Sequence, residues 1–342
     1  MEDKSEYIKD HPVDVVIAWV DGNDPVLAEK RNRYIREGES SSLSSGAHST
    51  RFASINEIRY CVLSILKFAP FIRNIFIITD GQDPDLWDDI KKYHPDRLDS
   101  FRIVDHKEIF EGFEDYLPTF NSISIGNMIW RIKGLSDNFV YFNDDTFLIR
   151  KIEPEDWFSG NRPVMRGRWV PAPFPRILWY TIRIGIKKHL LGNTDYQPRA
   201  SFHMGQWNSA RLAGYRIRYF TNSHTPHSVE RKRMQEYFSK NASVLEKNIK
   251  HRFRNYRQFT FIALSNHLQL LDGNRQIANP GLVYLQPYKR PKDYIDKKIH
   301  FCENNPDIKF LCVQSLDLCE KEKQEKLLGW LKARLQQDHH VL

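Results

Sequence analysis

An α/β fold is predicted for this chain of 342 residues: a mostly parallel sheet flanked by helices, with a more helical C-terminal part. Three observations predict it. Short continuous apolar runs recur, segments of helical periodicity lie between them, and each run stops at a turn that carries carboxylates. The 41% hydrophobic content suffices to bury a sizeable core.

The first run is DVVIAWV, residues 14–20, a buried strand that ends in the turn signal DGNDP. Residues 40–50, SSSLSSGAHST, are Ser-rich and poor in apolar side chains, and read as a mobile loop. NEIRYCVLSILKFAPFI then places Ile58, Cys61, Val62, Ile65, Leu66 and Ala69 at helical spacing, with Asn56 as N-cap and Pro70 as stop. NIFIITDGQDP and FRIVDH repeat the strand pattern with Asp80 and Asp105 at their ends. A helix-like segment over about 122–134 leads into FVYFNDDTFLI. The whole reads as a Rossmann-like unit over 13–285, preceded by a tail (1–12) and followed by a helical extension (286–342).

In a parallel sheet, ligands bind outside the carboxyl ends of the strands. Four strand ends here carry carboxylates: Asp21 and Asp24, Asp80, Asp105, and Asp144 with Asp145. A single Asp after a strand is ordinary turn chemistry. The doubled Asp144-Asp145 is different, because adjacent carboxylates repel and a turn needs only one. That pair is the candidate divalent-cation or catalytic motif, with a nucleotide diphosphate as the matching ligand.

Downstream, residues 157–200 form an insertion rich in aromatic and basic side chains, with Trp157, Trp169, Trp179 and Tyr180 among prolines and Arg176, Arg183, Lys187 and Lys188 alongside. It reads equally as a second apolar layer with a solvated basic face or as a surface for a polymer or membrane. His224 and His227 flank Pro226, and no Cys, His or Glu cluster of zinc spacing accompanies them, so general-base chemistry is their functional reading. Arg252, Arg254 and Arg257 fall within six residues, and one guanidinium aimed at a phosphate would serve function. The amphipathic run 320–335 reads as docking on the parent domain.

The balance of 51 Lys and Arg against 43 Asp and Glu gives +8, which favours acidic partners, but no nucleic-acid motif accompanies it. Cys61, Cys302, Cys312 and Cys319 lack CxxC spacing and read as reduced thiols, a Cys312–Cys319 disulfide remaining open for an oxidising space. No signal peptide and no apolar stretch of membrane-spanning length is found, so a cytoplasmic enzyme is expected.

Four ordered blocks resemble the Stealth family, which includes bacterial capsular polysaccharide phosphotransferases and is related to the animal GlcNAc-1-phosphotransferase. They are DVVIAWVDGNDP (14–25), RFASINEIRYCVLSILKFAPFIRNIFIITDGQ (51–82), LPTFNSISIGNMIWRIKGLSDNFVYFNDDTFL, and HTPHSVERKRMQEYF with HRFRNYRQF. Two departures stand out. Ile123 and Gly126 occupy the part of the third block that commonly reads NSxAIE, and Ala53, Ser54 and Ile55 replace charged residues of the second.

The resemblance implies transfer of a hexosamine- or hexose-1-phosphate from a UDP-sugar to a hydroxyl of a growing glycan, with release of UMP. It implies Mg²⁺, or Mn²⁺, on Asp144 and Asp145, and the loop Asp21-Gly22-Asn23-Asp24 beside the nucleotide. It further implies His224 as base with His227 in reserve, Arg254 on the phosphoryl group, and Asn121, Ser122 and Asn143 as substrate contacts. Peripheral contact with the inner membrane is a further expectation, and nucleic acid is not. The rival readings are a metal-dependent glycosyltransferase that releases UDP and a non-enzymatic binder of anionic polymer or membrane.

Overall fold

A computed structural model describes residues 11–35, 56–194 and 196–336. The Ser-rich stretch 40–50, the Ala53–Ile55 departure and residues 1–10 of the expected tail lie outside the described residues.

The apolar runs are strands. β1 (Val13–Ala18), β2 (Ile75–Thr79), β3 (Phe101–Asp105) and β4 (Asn138–Asn143) form a parallel sheet in the order β3-β2-β1-β4, and the strand His227–Glu230 joins antiparallel at the β4 edge. Alternate side chains enter opposite cores, as the pleat requires. Val15, Ile17, Ile75, Ile77, Val140 and Phe142 face one side, while Val16, Phe76, Ile78 and Phe139 face the other. Both faces are covered, which is why the runs are continuously apolar.

Buried Asp14 fastens the sheet at its amino-terminal edge. Its carboxylate accepts from Arg73 Nε (2.9 Å) and Nη2 (2.6 Å), from the Asn74 amide (3.1 Å) and from the Ser136 amide (2.7 Å). Those donors come from the segments entering β2 and β4, so one charge registers three strands.

The helix Glu57–Phe68 buries Cys61, Val62, Ile65 and Leu66 against the first core, as its periodicity predicts. Its N-cap differs from expectation, since Asn56 is left-handed (φ 67°) and its side chain makes no capping bond. The helix expected over 122–134 is also shorter. It runs only Ser122–Gly126, and a 3-10 turn, Ile129–Arg131, follows. Asn127 ends it by donating its side-chain amide to Ile123 O at 2.8 Å, a bond that competes with continued helix.

β5 (Thr146–Leu148) follows the two aspartates directly and turns the chain into a second sheet. There it pairs antiparallel with Phe310–Val313, which in turn pairs parallel with Leu282–Leu285. The C-terminal part is otherwise helical, with Tyr294–Asn304 and Lys321–Gln336. The second of these docks through Leu327 and Leu331, and Lys67 Nζ donates to the terminal carbonyls of Arg334 (3.1 Å) and Leu335 (2.9 Å). The region from 157 builds a third layer: Met165–Pro171 pairs with Arg218–Asn222 and Ile277–Ala278, over the buried helix Phe261–Leu271. Cys61, Cys302 and Cys312 are buried, and the four cysteines are unpaired thiols. Among the described residues no helix is long and apolar enough to cross a membrane.

Candidate active site

In a sheet of order 3-2-1-4 the strand order reverses between β1 and β4, and the crevice outside their carboxyl ends is the expected ligand site. Ala18 pairs with Asn143 in register, so the chain leaves both strands at the same level. A cavity of about 730 Å³ opens there, a size suited to a small-molecule ligand. Asn143, Asp144 and Asp145 lie in its wall. The two aspartates form a tight turn between β4 and β5, which holds both carboxylates at the strand end.

No Lys or Arg pairs with either aspartate among the described residues. Burial, then the charge of Asp145, raises Asp144 to about 7; burial, then the charge of Glu57, raises Asp145 to about 6. The Thr146 hydroxyl (3.3 Å) and the Cys312 thiol donate to Asp145. Two carboxylates short of positive charge suit a hard divalent cation. No cluster of three or more His, Cys, Asp or Glu able to hold a metal occurs among the described residues. Of the described residues, the aspartate pair is what could offer carboxylate ligands to such a cation here.

The other walls bring histidines and arginines to the same cavity. His224 is held between two rings, stacked on Phe202 (centroids 4.9 Å apart, 17°) and tilted against Tyr284 (5.0 Å, 34°). Burial, then nearby His203, lowers its pKa, which keeps the imidazole neutral and able to accept a proton. His227 pairs with Tyr141 in the edge strand, and burial, then His224 and Arg166, lowers it to about 3. Arg254 donates to the Ser122 hydroxyl, which fixes its guanidinium in the cavity wall. Tyr141 carries the charges of Asp144 and Arg254 together, so both groups stand close to its ring.

Thus His224, His227, Arg254, Ser122, Asn143, Asp144 and Asp145 converge on one cavity. Asn121 and the Asp21–Asp24 loop do not line it. Asn121 is fully buried: it caps the helix Ser122–Gly126 by accepting from Ile123 N (3.1 Å) and donates to His251 O (2.8 Å) and Gln258 Oε1 (2.9 Å). It positions Ser122 and, through it, Arg254. Asp24 caps the helix Pro25–Tyr34 through Val26 N (2.8 Å), Asp21 accepts from Asn23 N (2.9 Å), and Gln82 ties the loop down by donating to Asp21 O (3.0 Å) and Asp24 Oδ2 (2.8 Å). This is turn chemistry, and Gly22 and Asn23 share its position off the cavity wall.

Several residues at the site escape a reading of the sequence. Glu57 opens its helix beside the aspartates, His106 follows β3 and Phe202 stacks on His224, all three in the cavity wall, while Tyr284 presses on His224 from behind the lining. At Gly126 the departure from the NSxAIE pattern leaves open space, with no atom within 4 Å of where a Cβ would stand.

Comparison with known proteins follows this geometry. Residues 11–39 match the family model for Stealth protein conserved region 1, and residues 51–165 match that for conserved region 2, which takes in both the second and third blocks. The chain is 33% identical over 285 residues to the receptor polysaccharide phosphotransferase WefC of Streptococcus gordonii, covering 79% of this chain and 81% of that protein. It is 38% identical over 194 residues to the capsular polysaccharide phosphotransferase cps1A of Actinobacillus pleuropneumoniae, covering 54% of this chain and 51% of that one. It therefore spans about half the length of that curated relative, and 38% of the related cps12A. A galactosyltransferase LgtC structure superposes over 96% of this chain with a TM-score of 0.44 and 12% identity, too weak a likeness to bear on the site. With two conserved regions in place and WefC aligned over four-fifths of its length, the chain belongs to the Stealth family.

Proposed function

We propose that the protein is a polysaccharide phosphotransferase that moves a hexosamine- or hexose-1-phosphate from a UDP-sugar to a glycan hydroxyl and releases UMP. The observation that carries this reading is the pair of uncompensated aspartates at the switch point, lining one cavity with a neutral histidine and an anchored arginine. Phosphoryl transfer asks for neutralised charge and in-line placement more than for covalent help from the protein. A family relative named as a phosphotransferase over most of its length supports the same chemistry.

In this mechanism His224 takes the proton of the acceptor hydroxyl, and that oxygen attacks the phosphorus attached to the sugar. The bond from that phosphorus to the bridging oxygen breaks and the electron pair leaves with UMP. The anomeric carbon keeps its configuration because no bond to it changes. Arg254 stabilises charge on the transferring phosphoryl group, and Ser122 fixes the fork of its guanidinium. Asp144 and Asp145 would hold Mg²⁺, which when bound neutralises the diphosphate and its leaving oxygen. The phenyl and phenol faces of Phe202 and Tyr284 keep the imidazole of His224 oriented.

The reading places the enzyme on the cytoplasmic side, in contact with an anionic membrane surface. The helix Phe174–Gly185 supports that contact: it turns Leu178, Trp179 and Ile182 outward, the turn after it exposes Leu190, and Arg183, Lys187 and Lys188 flank the apolar face. The test of the function is to supply Mg²⁺, UDP-sugars and oligosaccharide acceptors and identify the nucleotide released. UDP with no phosphorus in the product would make the protein a glycosyltransferase instead.

A further inference from the structure

A nucleoside diphosphate sugar could lie in this cavity in either direction. We infer that its nucleoside half binds at the carboxyl ends of β2 and β3, where Asp80 takes the ribose hydroxyls and His106 reads the polar edge of the base. The inference rests on the proposed function and adds the orientation of the donor and the residues that recognise it.

His106 is the first residue after β3, lines the cavity and is only 2% exposed. Neither of its ring nitrogens has a hydrogen-bond partner, and the nearest carboxylate oxygen, Asp80 Oδ1, stands 4.0 Å from Nδ1. Buried polar atoms are almost always satisfied, so an imidazole in a cavity wall with both nitrogens buried and unpartnered calls for a ligand that reaches it. Burial keeps the ring neutral, with a pKa lowered to about 4 against the pull of Asp80 and Asp105. A neutral imidazole offers one N–H and one lone pair. One of these at a time can meet a uracil edge, the N–H donating to a carbonyl oxygen or the lone pair accepting from the ring N–H. Ile78, Ile125 and Ile129, which pack in one cluster, give the cavity apolar wall for the flat face of a base.

Asp80 directly follows β2, the position from which a carboxylate takes ribose hydroxyls in sheets of this strand order. Lys30 Nζ holds its Oδ2 at 2.6 Å and fixes the carboxylate. Thr79 and Asp105 pair in register, so Asp80 and His106 leave adjacent strand ends side by side. Arg254 and Arg199 lie in the cavity wall formed by other segments, and the diphosphate points toward them and toward Asp144 and Asp145.

The experiment is calorimetric titration of UMP and, separately, inorganic pyrophosphate into the wild type, His106→Phe and His106→Gln, all with Mg²⁺. In parallel, the His106 ring resonances of ¹⁵N-histidine-labelled wild type are followed as UMP is added. The inference predicts a loss of UMP affinity of about tenfold or more in His106→Phe, partial recovery in His106→Gln, unchanged pyrophosphate affinity, and a shift of the His106 ring signals. Unchanged UMP affinity in a folded His106→Phe, an equal loss for pyrophosphate, or unmoved ring signals at saturating UMP would overturn the inference and leave the proposed function standing. If His106→Phe does not fold, the ring signals of the wild type decide. Failure of the wild type to bind either ligand would overturn both.

Discussion

Asp145→Asn removes one of the two carboxylates facing the cavity and leaves the turn intact, so its effect falls on chemistry and not on the fold. The expected loss of turnover is on the order of 10²-fold or more, together with a weaker dependence on Mg²⁺, measured by steady-state assay against metal concentration. His224→Ala should cost on the order of 10²-fold or more as the loss of a general base, and His227→Gln much less. His227 has a separate signature in stability. Its folded pKa of about 3 lies below the ordinary value of 6.5, so the unfolded chain binds the proton more readily and stability drains away as pH falls from 6.5 toward 3. Thermal melts of His227→Gln across that range should show a shallower acid limb than the wild type, and an identical limb would contradict its burial as a neutral ring. At this scale the sequence was legible where a residue type was redundant for structure. Two aspartates exceed what a turn needs, and His224 and Arg254 sit in quotable blocks. Asp21 and Asp24 are ambiguous in the sequence because a cap and an Asx turn, which they form here, use the same residues as a nucleotide loop. Glu57 and His106 were missed because each looks like an ordinary helix-start residue until the fold aims it at the cavity.

The strands were readable because a sheet covered on both faces demands uninterrupted apolar runs, and no competing local signal obscured them. Shorter elements were less so, since single side-chain bonds decide them: Asn127 ends the helix that begins at Ser122, and Asn56 enters its helix left-handed. The strand Phe310–Val313 is too short an apolar run to stand out, and what makes it a strand is its pairing with β5 and with Leu282–Leu285. Two predictions belong here. Asp14→Ala leaves Arg73 and the amides of Asn74 and Ser136 without their common acceptor, and should cost about 3 kcal/mol in chemical denaturation, a loss within 0.5 kcal/mol contradicting its role as a fastener. Leu178→Glu with Ile182→Glu on the exposed helix should abolish co-sedimentation with vesicles containing anionic lipid while leaving the melting curve in place, because these side chains are half or more exposed. Equal sedimentation of variant and wild type would remove the membrane contact from the account.

Across the whole molecule, the site depends on the C-terminal part as much as on the sheet. Asp145 is followed by β5, whose partner strand carries Cys312 against that carboxylate, and Tyr284 from the neighbouring strand presses on His224. Truncation after residue 285 would strip the partner of β5 and uncover Leu148, Ile149 and Val283, and the shortened chain is expected to be insoluble or unfolded by circular dichroism. A well-folded, active truncation would show that the C-terminal part is an appendage. The central claim concerns the bond that breaks. Purified protein with Mg²⁺, a panel of UDP-sugars and short glycan acceptors should release UMP and give a product with a phosphodiester ³¹P resonance. Release of UDP with a product free of phosphorus would contradict it.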